Sequence, residues 1–342
     1  MPIRDSLDKL LASRSLTRAQ ATTTFDEILS GRADDAQIAA LLALIQSRGA
    51  TVDELTGAAE SMRRHAAHVP VQDSIDAPII DTCGTGGAPK AFNVSTCAAI
   101  VAAAAAPKKI RVAKHGNRSR TGRGSAEVLA ALGVNIDASL ETQARCLDTV
   151  GVCFCFAIHH HPAVKHAMPA RRSLGFPTIF NLLGPLSNPA NAKRQLIGVY
   201  AESLVEPMAR ALANLGTERA MIVHGLDGLD EISIGAPTRV AHVERNHIRI
   251  DTIHPDRVGL RHATLDQLQA DSLDRAVELF KDILAGEPGP TRDIVLINAA
   301  AALVVGAAAP DLAVGVRICQ NAIDEGDATR TLARLVEISH TK

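Results

Sequence analysis

From Ile79 onward the sequence repeats one order: a short apolar run, a loop, then a helix-forming stretch. The runs at 79–81, 110–113, 152–156, 196–200 and 220–224 are too short for helices and apolar enough for strands buried on both faces. Alanine-rich stretches at 95–106 and 125–132 fall between the first of them and read as helices. Strands that alternate with helices predict an α/β fold with a mostly parallel central sheet and flanking helices. Ligands of such sheets sit at the C-terminal ends of the strands, so the loops that follow these runs are where chemistry is expected. Segments 232–234, 238–243 and 247–252 read as antiparallel additions, and helices are expected around 272–284, 291–308, 313–324 and 329–338.

The N-terminal part has a different pattern. Three capping boxes, Thr17 with Gln20, Asp34 with Gln37 and Thr51 with Glu54, each open an amphipathic run, and Gly31 and Gly49 fall where C-terminal caps belong. The expectation is a small α-helical domain over 1–72, joined by helices from about 162–190, and a larger α/β domain over 73–342. The apolar stripe of Phe25, Ile28, Leu29, Ile38, Leu41, Leu42 and Ile45 suits a helix bundle, part of which can also face a second subunit.

Composition narrows the function. With 36 Lys+Arg against 37 Asp+Glu, and one Tyr, seven Phe and no Trp in 342 residues, the chain has neither a broad cationic field nor stacking platforms. No nucleic-acid partner is expected. The start lacks a basic-then-apolar leader and the longest apolar run, 97–106, is too short to cross a bilayer, so no membrane association is expected and the location is read as cytoplasmic. Six cysteines (Cys83, Cys97, Cys146, Cys153, Cys155 and Cys319) form no C-x-x-C pair and read as reduced, buried small hydrophobes, with Cys153 and Cys155 on one sheet face.

Four loops carry chemistry. Asp81-Thr82-Cys83-Gly84-Thr85-Gly86-Gly87 runs from a strand toward Asn93-Val94-Ser95-Thr96 at a helix start, where unpaired amides suit a diphosphate and the side chains of Asn93, Ser95 and Thr96 can cap the helix or touch a phosphate or metal. Lys114-His115-Gly116-Asn117-Arg118 through Arg120, Arg123 and Ser125 puts four cations within ten residues, suited to a multiply charged anion. Asp227-Gly228-Leu229-Asp230-Glu231 places adjacent carboxylates after a strand, a pattern that holds Mg²⁺ beside substrate phosphates. The fourth runs from His159-His160-His161 through Arg171-Arg172 to Asn181-Leu182-Leu183-Gly184-Pro185-Leu186-Ser187-Asn188-Pro189. Consecutive histidines point apart and make a poor metal site, whereas the Arg171 fork suits a small carboxylate.

Together with Arg292-Asp293-Ile294-Val295-Leu296-Ile297-Asn298-Ala299-Ala300, these motifs resemble the anthranilate phosphoribosyltransferase family in order and across nearly the whole chain. That family shares its fold with pyrimidine nucleoside phosphorylases. The resemblance implies a homodimer whose two domains enclose phosphoribosyl diphosphate and anthranilate. It implies that Gly84, Thr85, Gly86, Gly87, Asn93, Ser95, Thr96, Lys114 and Ser125 bind phosphoribosyl diphosphate. Gly84, His115, Asn117, His161 and Arg171 would line the anthranilate site, and Ser95, Asp230 and Glu231 would bind two Mg²⁺ ions. No residue is implied as a general acid or base, because an aromatic amine is already neutral near pH 7.

Two departures from the family pattern fall on the diphosphate side. Ala88-Pro89-Lys90-Ala91 replaces an Asp-Gly and shortens that loop by one residue; Ser119-Arg120-Thr121-Gly122-Arg123 is also one residue short, and Glu127 stands where the family has Asp. Lys90, Arg120 or Arg123 would then supply contacts made otherwise in the family. Two further readings stay open on the residues alone: a paralogue that acts on another aromatic acceptor or phosphorolyses nucleosides, and a binding protein without catalysis.

Overall fold

The computed structural model describes residues 3–72, 75–87, 91–119 and 121–341. Lys90, Arg120 and most of the 88–91 replacement therefore lie outside the described residues.

Four helices open the chain: α1 (Ile3–Leu11), α2 (Arg18–Leu29), α3 (Asp35–Arg48) and α4 (Val52–Arg64). All three capping boxes form, with each N-cap side chain accepting from the N3 amide. Glu54 does more than its box requires. Its buried carboxylate also accepts from the Leu16 amide at 2.9 Å and from Arg48, tying α4 to α3 and to the segment that leads into α2. Close packing of α2 on α4 depends on Gly57, where a Cβ would stand 2.2 Å from the Arg18 carbonyl oxygen.

The chain then alternates as expected: β1 (Ile79–Gly84), α5 (Val94–Ala105), β2 (Arg111–Gly116), α6 (Ser125–Ala131), α7 (Leu140–Thr149) and β3 (Val152–Phe156). A helical excursion, α8 (Ala157–His160), a 3₁₀ segment Pro162–Ala167, α9 (Met168–Leu174) and α10 (Ile179–Leu183), returns to the N-terminal helices, where Phe180 meets Phe25 at 5.7 Å between ring centroids. After it come β4 (Arg194–Gly198), α11 (Val205–Asn214), β5 (Arg219–Gly225), β6 (Thr238–Glu244) and β7 (His247–Ile253), then α12 (Leu273–Leu284), α13 (Pro290–Val305), α14 (Leu312–Asp324) and α15 (Asp327–Ser339).

The seven strands form one sheet in the order β3-β2-β1-β4-β5-β6-β7. β3 to β5 are parallel; β6 and β7 join antiparallel, as the sequence suggests. Segment 232–234, expected as a strand, is not one: it is an irregular loop whose backbone hydrogen-bonds to the Asn298 side chain of α13. Strand alternation splits the core into two. Ile80, Leu196, Met221 and Val240 face α5, α13 and the C-terminal helices, while Cys83, Ile197, Ile222 and Ala241 face α11, α10 and the N-terminal helices. All six cysteines are free and buried, and Cys153 and Cys155 share a face with their sulfurs 3.8 Å apart. Among the described residues no helix is long and apolar enough to cross a membrane.

Candidate active site

The order of the sheet fixes where a ligand can enter. From β1 the chain moves outward to β2 and β3, and later resumes on the other side with β4, so the connections diverge between β1 and β4. At such a switch point the loops leave a crevice beyond the strand ends. Gly84 and Gly198 pair across it as the last residues of β1 and β4. A Cβ on Gly84 would lie 2.9 Å from Oδ2 of Asp230, and one on Gly198 only 1.6 Å from the Asp230 carbonyl oxygen. Two side-chain-free positions thus let the acidic loop settle over the crevice.

The glycine loop is braced from the same side. The Thr85 amide donates to the Gly198 carbonyl at 2.9 Å, and its hydroxyl accepts from the Tyr200 amide at 3.1 Å. Gly86 and Gly87 follow with φ of 65° and 96°, a backbone that disfavours side chains. Beyond the loop, the first turn of α5 meets the acidic pair: the Ser95 amide donates to Oε1 of Glu231 at 3.2 Å. Asn93 is the N-cap by position, but its side chain does not cap; it donates to the Arg123 carbonyl at 3.1 Å and so holds Arg123 against the start of α5. Thr96 is buried in the same turn.

The electrostatics of the acidic pair are unusual. Burial, and secondly the neighbouring Asp230, push the Glu231 carboxyl up to about 8. Without a cation, this pair resists carrying two negative charges. Among the described residues no three His, Cys, Asp or Glu side chains cluster as a complete metal cage. Mg²⁺ does not need one, since it retains water and takes substrate phosphate oxygens alongside one or two carboxylates.

On the other side of β1 lies the end of β2. Lys114 is buried and donates from Nζ to the His115 carbonyl at 3.0 Å. Asp81 of β1, fully buried, accepts from the His115 amide through Oδ1 at 3.0 Å. Burial raises the Asp81 carboxyl above its ordinary range, against the pull of Lys114. Gly116 admits Ser125 and Phe154, whose atoms would stand 2.2 and 2.7 Å from a Cβ. The Ser125 hydroxyl in turn donates to the Asn117 carbonyl at 3.3 Å.

The histidines separate as their positions require. His159 is exposed against Asp137, and His160 is buried between the Ala67 carbonyl and the Gln143 side chain, both at 2.7 Å. His161 turns to His115, with ring centroids 5.1 Å apart. Nδ1 of His115 approaches the Gly184 carbonyl at 3.2 Å, while its Nε2 is buried without a partner among the described residues. Burial first, then neighbouring imidazoles (His161 and His160 for His115, His160 and His68 for His161), keeps both rings neutral: His161 is lowered to about 4 and His115 falls well below its ordinary value. Arg171, on α9, lies over the Phe180 ring at 5.2 Å and reaches Sδ of Met168 at 3.6 Å.

Two expectations change. Arg123 is not directed at the glycine loop, because its guanidinium donates to the Ala270 carbonyl ahead of α12. Glu127 closes a capping box on the Gly124 amide at 2.9 Å and is a structural residue of α6. Asp81, Gly198 and Asn298 take part in this region without having stood out in the sequence as site residues. Asp81 was signalled by a charged residue inside an apolar strand run; Gly198 carried no signal apart from the loop that folds over it. A surface cavity of about 570 Å³ lies elsewhere, between α4, α11 and β7, where Arg210 is paired with Glu206 and Arg239 faces Glu202.

Comparison with known proteins agrees with this architecture. The glycosyl transferase family helical bundle domain matches residues 4–66, and the glycosyl transferase family a/b domain matches residues 76–329. An anthranilate phosphoribosyltransferase of Rhodospirillum rubrum is 47% identical over 338 residues, covering 98% of this chain and 95% of its own. The crystal structure of the Thermus thermophilus anthranilate phosphoribosyltransferase superposes with a TM-score of 0.91 at 35% identity, covering 98% of this chain and 100% of that one. The Saccharomyces cerevisiae enzyme in complex with 4-fluoroanthranilate is similar at a TM-score of 0.87 and 25% identity, covering 98% and 97%.

Proposed function

The chain belongs to the anthranilate phosphoribosyltransferase family, and from that premise we propose that it transfers the phosphoribosyl group of 5-phosphoribosyl 1-diphosphate to anthranilate. The products are N-(5-phosphoribosyl)anthranilate and diphosphate, a step of tryptophan biosynthesis. The anomeric C–O bond breaks, the C–N bond forms, diphosphate takes the electron pair and the amine gives up a proton. The observation that carries this reading is the convergence of the glycine loop, the start of α5 and the Asp230–Glu231 pair over the β1/β4 crevice.

The donor's diphosphate lies along Gly84, Thr85, Gly86 and Gly87, with Asn93, Ser95, Thr96, Lys114 and Ser125 toward phosphates or ribose. Amides aimed at an anion before it forms are the largest contribution such a loop makes, because they need no reorganisation as charge develops. Ser95, Asp230 and Glu231 hold Mg²⁺, two ions in this reading, and the metal when bound offsets the negative charge of the departing diphosphate. The acceptor lies against Gly84, His115, Asn117 and His161, with its carboxylate on Arg171. Neutral His115 and His161 suit such an acceptor, since they can hydrogen-bond an amine or carboxylate without repelling the positive charge that builds on the ribose. The amine nitrogen brings its own lone pair, so no strong base is required.

The helices of 1–72, joined by those of about 162–190, form one lobe in this reading and 73–342 the other. The protein is further read as a homodimer in the cytoplasm, with neither nucleic acid nor membrane as partner. Fluorescence of phosphoribosylanthranilate tests the activity directly. With Mg²⁺ and both substrates at millimolar levels, signal should appear and require all three; its absence would overturn the proposal.

A further inference from the structure

The C-terminal segment 292–300 belongs to the set of motifs that marks this family, yet nothing in the transfer reaction uses it. It lies on α13, behind the sheet, and its buried face is apolar apart from Arg292 and Asn298. Arg292 has local work: it donates to the Gly286 carbonyl and to Asp324 at 2.5 Å each, fastening the turn before α13. Asn298 is fully buried and reaches out of its helix. Its Oδ1 accepts from the Ile232 amide at 3.0 Å, and its Nδ2 donates to the Ile232 carbonyl at 2.9 Å and to the Ile294 carbonyl at 2.9 Å. One side chain thus satisfies both backbone groups of a single residue, as a neighbouring strand would. That residue is the one after Glu231.

We propose that Asn298 is a positioning residue for the Asp230–Glu231 pair, fixing the geometry with which those carboxylates meet Mg²⁺. The inference rests on the metal-binding role proposed above for the pair. The pair is held on its other side by the approach of the Asp230 carbonyl to Gly198 and by the hydrogen bond from the Ser95 amide to Glu231. Within the loop, Asp227 and Ser233 bond to each other at 2.5 Å, which shapes the turn without tying it to the helix behind. Asn298 supplies the anchor to the rigid core. Both Ile232 and Ile234 are buried around it, so no water can replace a lost amide bond without opening the core. Groups that orient metal ligands commonly carry about 10- to 100-fold in metal affinity.

The test measures calorimetrically, without anthranilate, the Mg²⁺ concentration that half-saturates binding of 5-phosphoribosyl 1-diphosphate. Asn298→Ala removes both bonds to Ile232 together with the one to Ile294; Asn298→Ser is gentler, keeping a hydroxyl and guarding against a variant that does not fold. Leu303→Ala, on the same buried helix but away from the loop, controls for lost stability. The Asn298 variants should raise the half-saturating Mg²⁺ about tenfold, with the acceptor KM little changed, while Leu303→Ala lowers the melting temperature and leaves the Mg²⁺ requirement in place. An unchanged requirement in both Asn298 variants, or an equal rise in Leu303→Ala, overturns the inference. The Asp230→Ala/Glu231→Ala double variant separates the two claims: if it still shows Mg²⁺-dependent donor binding, the role of the pair itself fails. If it does not, while the Asn298 variants behave like wild type, only the role of Asn298 fails.

Discussion

In the proposed function, Arg171 is the residue that grips the acceptor's carboxylate. Its guanidinium lies over the Phe180 ring, which is itself packed on Phe25, so the side chain is anchored through the core of the helical lobe. Truncation to Ala should raise the anthranilate KM by about 10- to 100-fold, the worth of a charge-assisted pair, with a much smaller change in the donor KM. Steady-state kinetics with each substrate varied in turn checks this, and equal effects on both would remove Arg171 from the acceptor side. Lysine should restore little, since a point charge cannot reproduce a stacked fork. The opposite signature is expected for Asp230→Ala/Glu231→Ala, in which Mg²⁺-dependent turnover should vanish at any acceptor concentration. Arg171 and the acid pair are candidates that the sequence singles out, because charged side chains stand out within apolar or glycine-rich contexts, and the structure sets the acid pair over the β1/β4 crevice. The aim of Arg123 was not: its local sequence resembles an anion loop, and only the approach of the Ala270 carbonyl, 147 positions away, diverts it.

At the scale of elements, glycines decide which loops can touch which strands. Gly198 ends β4 where the Asp230 backbone crosses, so Gly198→Ala forces either the strand or the loop to move. Such overpacking against backbone should cost about 3 kcal/mol or more, visible as a lower urea midpoint. Gly184 gives the contrast. It has φ of -52° and nothing within 4 Å of a Cβ, so Gly184→Ala should leave stability unchanged or raise it by about 0.5 kcal/mol. Equal losses in the two variants would show that the crossing of Asp230 over β4 is not tight. The strands and capped helices were readable because period, caps and glycines are local signals. Segment 232–234 departs from the expected strand for a physical reason: its apolar alternation is that of a buried strand, but the partner for its backbone is the Asn298 side chain rather than another strand. No local pattern encodes a partner 66 positions distant.

Across the whole molecule, the same burial that prepares the proposed acceptor site makes the protein sensitive to acid. His115, His160 and His161 are all held neutral, chiefly by burial, with His161 lowered to about 4. In the unfolded chain these rings take up protons near pH 6.5, whereas the native protein refuses them until much lower pH. Below about pH 6.5 the unfolded state therefore binds more protons, and stability falls as pH falls toward the native values. His161 alone accounts for on the order of 3 kcal/mol between pH 6.5 and 4. Glu231 and Asp81 act in the opposite sense, since raised carboxyls gain protons on folding over this range, so two carboxyls stand against three histidines. Without Mg²⁺, unfolding free energy from urea titrations should thus peak near about pH 7, ease slightly above it as Glu231 gives up its proton, and decline steadily from 6.5 to 4.5. His161→Asn should flatten that acid decline, because it keeps a polar group facing His115 yet removes a site that titrates on unfolding. If the two proteins lose stability in parallel, the buried imidazoles are not what limits this fold in acid.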